Sequence, residues 1–137
     1  MKIKFSKAWK ASSQKRKKVK YAANAPLHIK KKLVNSNLSK ELRKKYGKRS
    51  ISLRKGDVVR IMRGKFKTKQ GKIVSIRLKQ SRIEVEGIQT KKMDGSKVNV
   101  SLRPSNLQII ELNTEDPRRK LKQKTEEKNV PKETKSA

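Results

Sequence analysis

Between residues 51 and 112, apolar side chains return at every second position in short runs broken by glycine, and that pattern limits the possible folds most. Val59 and Ile61 alternate with Val58, Arg60 and Met62. Val74, Ile76 and Leu78 share a face at period two. Ile83 and Val85 alternate with Arg82, Glu84 and Glu86 until Gly87 ends the run. Val98, Val100 and Leu102 follow, then Leu107 and Ile109. Period two marks strands with one buried face. Five such strands with glycine-bearing turns and no long helix predict a mainly β fold, a small closed barrel that hides its own sheet edges. An SH3-like five-stranded barrel fits best and an OB-type barrel second. This stretch holds 22 apolar residues in 62, against three in the last 25, so it is the predicted folding unit.

Charge then says what the fold works against. Lysines and arginines number 41 against 11 aspartates and glutamates, a formal net charge of +30. Repulsion on that scale destabilises a compact state unless a polyanion supplies countercharge. Residues 1–50 hold 18 basic residues and one acid, Glu41; residues 51–112 hold 15 and 5; residues 113–137 hold 8 and 5. The predicted organisation is a basic N-terminal extension (1–50), a barrel (51–112) and a charged tail (113–137). On this division the barrel is expected to stay folded without residues 1–50. A membrane surface would need a helix with a wide apolar face, and the lysine-rich segments carry only isolated apolar residues. No apolar run approaches the roughly 20 residues that span a bilayer, and MKIKFSKAWK lacks the apolar stretch of a secretory signal. The expectation is a cytoplasmic chain that binds nucleic acid and no membrane.

Catalysis has little to work with. Cysteine is absent, which removes disulfides, thiolate metal sites and cysteine nucleophiles. The single histidine, His28, has no acid nearby in sequence to orient it as a base. Glu84 and Glu86 lie on one face of a strand, where they read as solvated ion partners of nearby cations before they read as a catalytic pair. Asp94-Gly95 lacks the acids of a calcium loop and predicts a two-residue hairpin turn. Gly64 to Lys72 has six residues between its glycines and Ile73 after the lysine, which excludes a Walker loop. No enzyme activity, cofactor, metal or small-molecule substrate is expected.

The cations cluster as Lys15-Arg16-Lys17-Lys18, Lys30-Lys31-Lys32, Arg43-Lys44-Lys45 and Lys48-Arg49. Lysine is a flexible point charge that suits phosphate more than base edges. An extended loop would point Lys65, Lys67 and Lys69 the same way. Four of the five aromatics, Phe5, Trp9, Tyr21 and Tyr46, lie among these clusters, where they either stack on unpaired bases or anchor the extension to the barrel. Pro26 opens one short helix at Leu27-His28-Ile29. Ser39 caps another through Lys40–Tyr46, with Glu41 near its start, cations near its end and Gly47 just beyond. Asp116-Pro117 predicts a cap for a helical run from Arg118 to Lys128, with only Leu121 to bury and fraying after about Glu126. An extension that orders on docking suits the loops and bulges of folded RNA better than duplex DNA, for which no groove-reading element is present.

Specific residues carry a family resemblance. Lys55 to Gly64 (KGDVVRIMRG), continuing from Lys69 to Val74 (KQGKIV), resembles the KOW motif, and Ile83 to Ile88 (IEVEGI) resembles the strand that closes it. The flanks narrow it. Ala25-Pro26-Leu27-His28, Leu38-Ser39-Lys40-Glu41-Leu42-Arg43, Arg49-Ser50 and Pro104-Ser105-Asn106 are similar to the universal large-subunit ribosomal protein twenty-four family. The form is the archaeal and eukaryotic one, called twenty-six in eukaryotes, and the resemblance covers about residues 12 to 120.

It implies an SH3-like barrel bound to large-subunit ribosomal RNA near its 5′ region, early assembly, and a place beside the peptide exit tunnel. Neighbouring large-subunit proteins and one copy per ribosome are implied with it. RNA contact carries over to His28, Lys30, Lys31, Arg43, Arg49, Lys55, Arg63 and Lys72. The charge pattern adds Trp9, Lys15, Arg16, Lys17, Lys18, Lys32, Lys44, Lys65, Lys67 and Lys69. Lys91, Lys92 and Lys97 fall on the hairpin that nears the tunnel rim in relatives. Gly71 matches the KOW glycine, where a backbone conformation or close approach excludes a side chain; Gly64 and Gly87 are the other structural glycines. The alternatives are a KOW-type transcription elongation factor and a DNA-binding chromatin protein with the same barrel.

Overall fold

A computed structural model describes residues 5–6, 12–116 and 118–119. Three short helices, α1 (Lys15–Asn24), α2 (Leu27–Leu33) and α3 (Lys40–Tyr46), accompany seven strands. The strands are β1 (Asn35–Leu38), β2 (Ser50–Ser52), β3 (Val58–Ile61), β4 (Gln70–Arg77), β5 (Arg82–Lys91), β6 (Lys97–Leu102) and β7 (Leu107–Glu111), with a 3₁₀ turn at Pro104–Asn106. They form one curled, barrel-like sheet in the order β2-β1-β7-β3-β4-β5-β6. The β1–β7 pair is parallel and the others are antiparallel.

The five strands expected from period two are β3 to β7. The two extra strands come from the extension and its border. Asn35–Leu38 contains two asparagines and a serine, a composition that disfavours strand on its own. Tertiary pairing with β2 and β7 overrides it, and Leu38 and Val34 join the core. A boundary at residue 50 therefore falls inside β2, and the sheet draws a strand from each side of it.

Two bulges account for the errors in strand phase. Within β4, Ile73 is buried while Val74 is exposed, and Ile76 packs partly against the core. Strict alternation puts Ile73 and Ile76 on opposite faces, but the register with β5 shifts between Ile73 and Ser75, and the extra residue restores Ile76 to the inside. Gly87 does not end β5. With φ 74 it sits inside the strand, where β5 from Glu84 to Gln89 runs alongside the shorter stretch of β6 from Ser101 to Asn99. The bulge turns Ile88 back to the core. Glu84 is likewise not solvated: it is buried and pairs with Arg77 at 2.5 Å, while Glu86 stays exposed.

Gly71 is required by space. A Cβ there would lie 2.6 Å from the Glu86 carbonyl oxygen and 2.8 Å from Val85 Cγ1. The loop after β3 is folded into turns, with Lys67 N–H bonded to Gly64 O and Lys69 N–H to Phe66 O. Lys65, Lys67 and Lys69 are exposed, but the extended geometry that would align them is absent. The β5–β6 turn is a three-residue loop instead of a two-residue one: Lys92 N–H bonds Ser96 O, Gly95 N–H bonds Lys92 O, and Gly95 has φ 86.

A buried ion pair ties the ends of the barrel. Asp57 is fully buried, and its carboxylate accepts from the backbone N–H groups of Arg54 (2.9 Å) and Asn113 (2.9 Å). The Arg119 guanidinium, only 3% exposed, grips both carboxylate oxygens and also donates to Asn113 O at 3.0 Å. Arg54 pairs with Asp116 beside it.

Three stability results follow. Gly71→Ala should cost about 1–3 kcal/mol, because the obstacle is backbone, measured by urea unfolding. Asp57→Ala should cost about 3–5 kcal/mol, because it strands a buried guanidinium; a loss below about 1 kcal/mol contradicts the role given to the pair. Deleting residues 1–26 should leave cooperative thermal unfolding, whereas deleting 1–50 removes Val34, Ser36 and Leu38 and should abolish it. That second outcome departs from the expectation of a barrel independent of its extension.

Candidate nucleic-acid interface

The helices that carry the extension's cations form for local reasons. In α3, Ser39 Oγ accepts from Leu42 N–H at 3.3 Å, Glu41 sits in the first turn, Arg43, Lys44 and Lys45 occupy the last turn, and Gly47 closes it at φ 61. Each choice agrees with the helix dipole or the cap geometry. Helix α2 follows Pro26 and places Lys30, Lys31 and Lys32 in its last turn, again with the dipole. Helix α1, absent from the predicted elements, is the opposite case. It begins with Lys15, Arg16, Lys17 and Lys18, has no acid in its first turn, no side-chain cap and no buried residue. Cations at that end oppose the dipole, so α1 is the element with most to gain from an external anion.

Nearly all the candidate side chains are solvent-facing. Lys15, Arg16, Lys17, Lys18, His28, Lys31, Lys32, Lys44, Arg49, Lys55, Arg63, Lys72, Lys91, Lys92 and Lys97 are exposed, with the three loop lysines. Lys30 is half-buried and donates to Ala23 O at 3.0 Å, linking α2 to α1. Arg43 is also half-buried, and its Nε–H has no acceptor among the described residues. Trp9 lies outside the described residues, as do residues 120–128 of the predicted helical run; of its start, Arg118 lies in a turn and donates its N–H to the Asp116 carboxylate at 2.8 Å. Phe5 packs against Tyr21 with ring centroids 4.9 Å apart, and Phe66 packs against the core, so these aromatics serve the protein itself.

Among the described residues, ion pairs engage Arg54, Arg77 and Arg119. None of these is a candidate contact. Asp57, Glu84 and Asp116 are taken up by cations that hold the fold, and no candidate cation forms an ion pair among the described residues. Like charge is even placed together: Lys91 and Lys97 are direct partners across the β5–β6 hairpin, an arrangement that is unfavourable without a bound anion.

The fold gathers some candidates from distant parts of the sequence. Arg43 of α3 and Arg63 of the β3–β4 loop line a cleft of about 280 Å³ with Asn37, Gln108, Met62 and Ser105. Lys31 and Lys55 line another, of about 540 Å³, with Arg54 and Arg118. Lys15 to Lys18 and the hairpin lysines line neither. Asn37 and Gln108 escaped sequence reasoning, since single polar residues on strands carry no signal until the strands are paired; Ser105, in the 3₁₀ turn, was quoted only for the family resemblance. No group of three or more His, Asp or Glu side chains suited to a metal ion occurs among the described residues.

At the hairpin tip, the Asp94 carboxylate accepts from Ser96 Oγ–H at 2.7 Å and Ser96 N–H at 2.9 Å, and these bonds hold its pKa below the ordinary 3.8. A carboxyl whose folded pKa is depressed adds order above its unfolded pKa and loses it as the pH falls through the folded one. We expect the protection of the Gly95 and Ser96 amides, relative to their intrinsic exchange at each pH, to fall below that window while the barrel amides stay protected. A tip insensitive to acid contradicts the turn described.

Over residues 12–125 the sequence matches the model of one family, that of the ribosomal proteins known as L26 in eukaryotes and, in archaea, as L24. It is 42% identical over 114 residues to the large ribosomal subunit protein uL24 of Korarchaeum cryptofilum (strain OPF8), covering 83% of this chain and 84% of that protein.

Proposed function

The chain belongs to the ribosomal protein family that matches it over residues 12–125, and from that premise we propose a non-catalytic constituent of the cytoplasmic large ribosomal subunit that binds large-subunit ribosomal RNA. One observation carries the RNA reading. Among the described residues the ion pairs of the fold use Arg54, Arg77 and Arg119, while the exposed cations of the extension, loop and hairpin form none. Such cations neutralise phosphate and release counterions without specifying sequence. The barrel supplies a rigid platform, and α1, α2 and α3 carry charge out from it between RNA helices. Neutralising phosphate where RNA helices crowd together is also the physical contribution to early subunit assembly. The place beside the peptide exit tunnel, the neighbouring ribosomal proteins and the single copy per ribosome rest on the family resemblance, with the β5–β6 hairpin as the part nearest the tunnel rim.

Titration of the full chain with deproteinised large-subunit ribosomal RNA tests this reading. If about ten phosphates are neutralised, log affinity should fall against log salt with a slope of roughly −7 to −9. A slope shallower than about −3 contradicts the charge mechanism. Equal affinity for duplex DNA at the same salt favours a chromatin protein instead.

A further inference from the structure

The cleft beside α3 sets two neutral amides, Asn37 and Gln108, between two arginines. Asn37 and Gln108 are direct partners across the parallel β1–β7 pair. Their neighbours Leu38 and Ile109 are fully buried, so by alternation both amides project from the opposite, outer face. Their bonding capacity is largely free. The Asn37 side chain makes no hydrogen bond among the described residues, and Gln108 Nε2 donates one long bond of 3.4 Å to Leu38 O, which leaves its carbonyl oxygen open.

Two arginines from separate elements, Arg43 of α3 and Arg63 of the β3–β4 loop, line the same cleft, and Met62 adds a half-exposed apolar surface. No acid lines the cleft. The wall bearing Met62 and Arg63 is held in place, since Met62 N–H bonds Asn106 O at 2.8 Å. The loop behind it closes through Thr68, a β-branched residue at φ 75, a costly conformation of the kind that gathers at binding sites.

We propose that this cleft receives one unpaired ribonucleotide, with its base edge on Asn37 and Gln108, its ring against Met62 and its phosphate between Arg43 and Arg63. This rests on the RNA-binding reading above and adds to it a point of base recognition. The volume of about 280 Å³ lies just below the roughly 300–1,000 Å³ of sites for small organic ligands. That suits a single nucleotide and excludes a duplex. Paired bases in A-form RNA keep their edges away from such a cleft, whereas splayed bases offer theirs to amides and guanidiniums. A site for phosphate alone has no use for two amide carbonyl oxygens that accept no bond among the described residues. The Arg43 Nε–H, without an acceptor among the described residues, gains one when a phosphate oxygen enters.

Chemical probing of the base edges of deproteinised large-subunit ribosomal RNA, with and without the full chain, tests the proposal. The wild type should shield one unpaired base. Asn37→Ala, at an exposed position, should return that base to the reactivity of free RNA, with affinity lowered about tenfold and unchanged melting. Arg43→Ala should lower affinity and reduce the salt slope by about one. A wild-type footprint that Asn37→Ala leaves unaltered, with Arg43→Ala still changing the slope, overturns the nucleotide site and leaves the RNA-binding reading standing. A wild type that protects no part of the RNA overturns both.

Discussion

The Asp57 carboxylate is the point on which the rest of the structure converges. It is fully buried, and it is satisfied from three directions: the turn before β3 through Arg54 N–H, the chain leaving β7 through Asn113 N–H, and the segment beyond through Arg119. A carboxylate stripped of water this completely is tolerated only with a full set of donors. Each donor comes from a different stretch, so the requirement fixes where those stretches meet. Gly56, at φ 84 with Asn113 against the place a Cβ would occupy, lets the turn approach. The pair thus sets the geometry in which β3 and β7 lie side by side at the centre of the sheet.

Around that centre the charges are sorted. Three acids pair with arginines that brace the fold: Asp57 with Arg119, Glu84 with Arg77 and Asp116 with Arg54. The remaining cations are placed where they repel one another, at the start of α1 and across the hairpin at Lys91 and Lys97. A freestanding protein gains nothing from those placements. A protein of the large ribosomal subunit has a polyanion to offset them, and its surface is then least strained when bound.

The sequence made the five central strands legible, along with helix α3 and its two caps, because each has a local cause: period two, Ser39, Gly47. The close approach at Gly71 was legible through the KOW resemblance. Features made by long-range pairing were hidden. Asn35–Leu38 has little strand propensity and becomes β1 only because β2 and β7 flank it. The bulges in β4 and β5 change which of Ile73, Val74 and Ile88 is buried, and a period-two reading cannot register a residue that breaks the period. The cations of the candidate interface were visible as composition. Their partners in the cleft, Asn37 and Gln108, lie far apart in the sequence and were not, since only the sheet brings them together.

The most direct measurement follows the tagged full chain from its own cells through a sucrose gradient, before and after a moderate salt wash. The account predicts that it sediments with the large ribosomal subunit and remains there after the wash, because many phosphate contacts on an ordered barrel must be broken together. Sedimentation with RNA polymerase or bulk DNA, and absence from the large subunit, would contradict it.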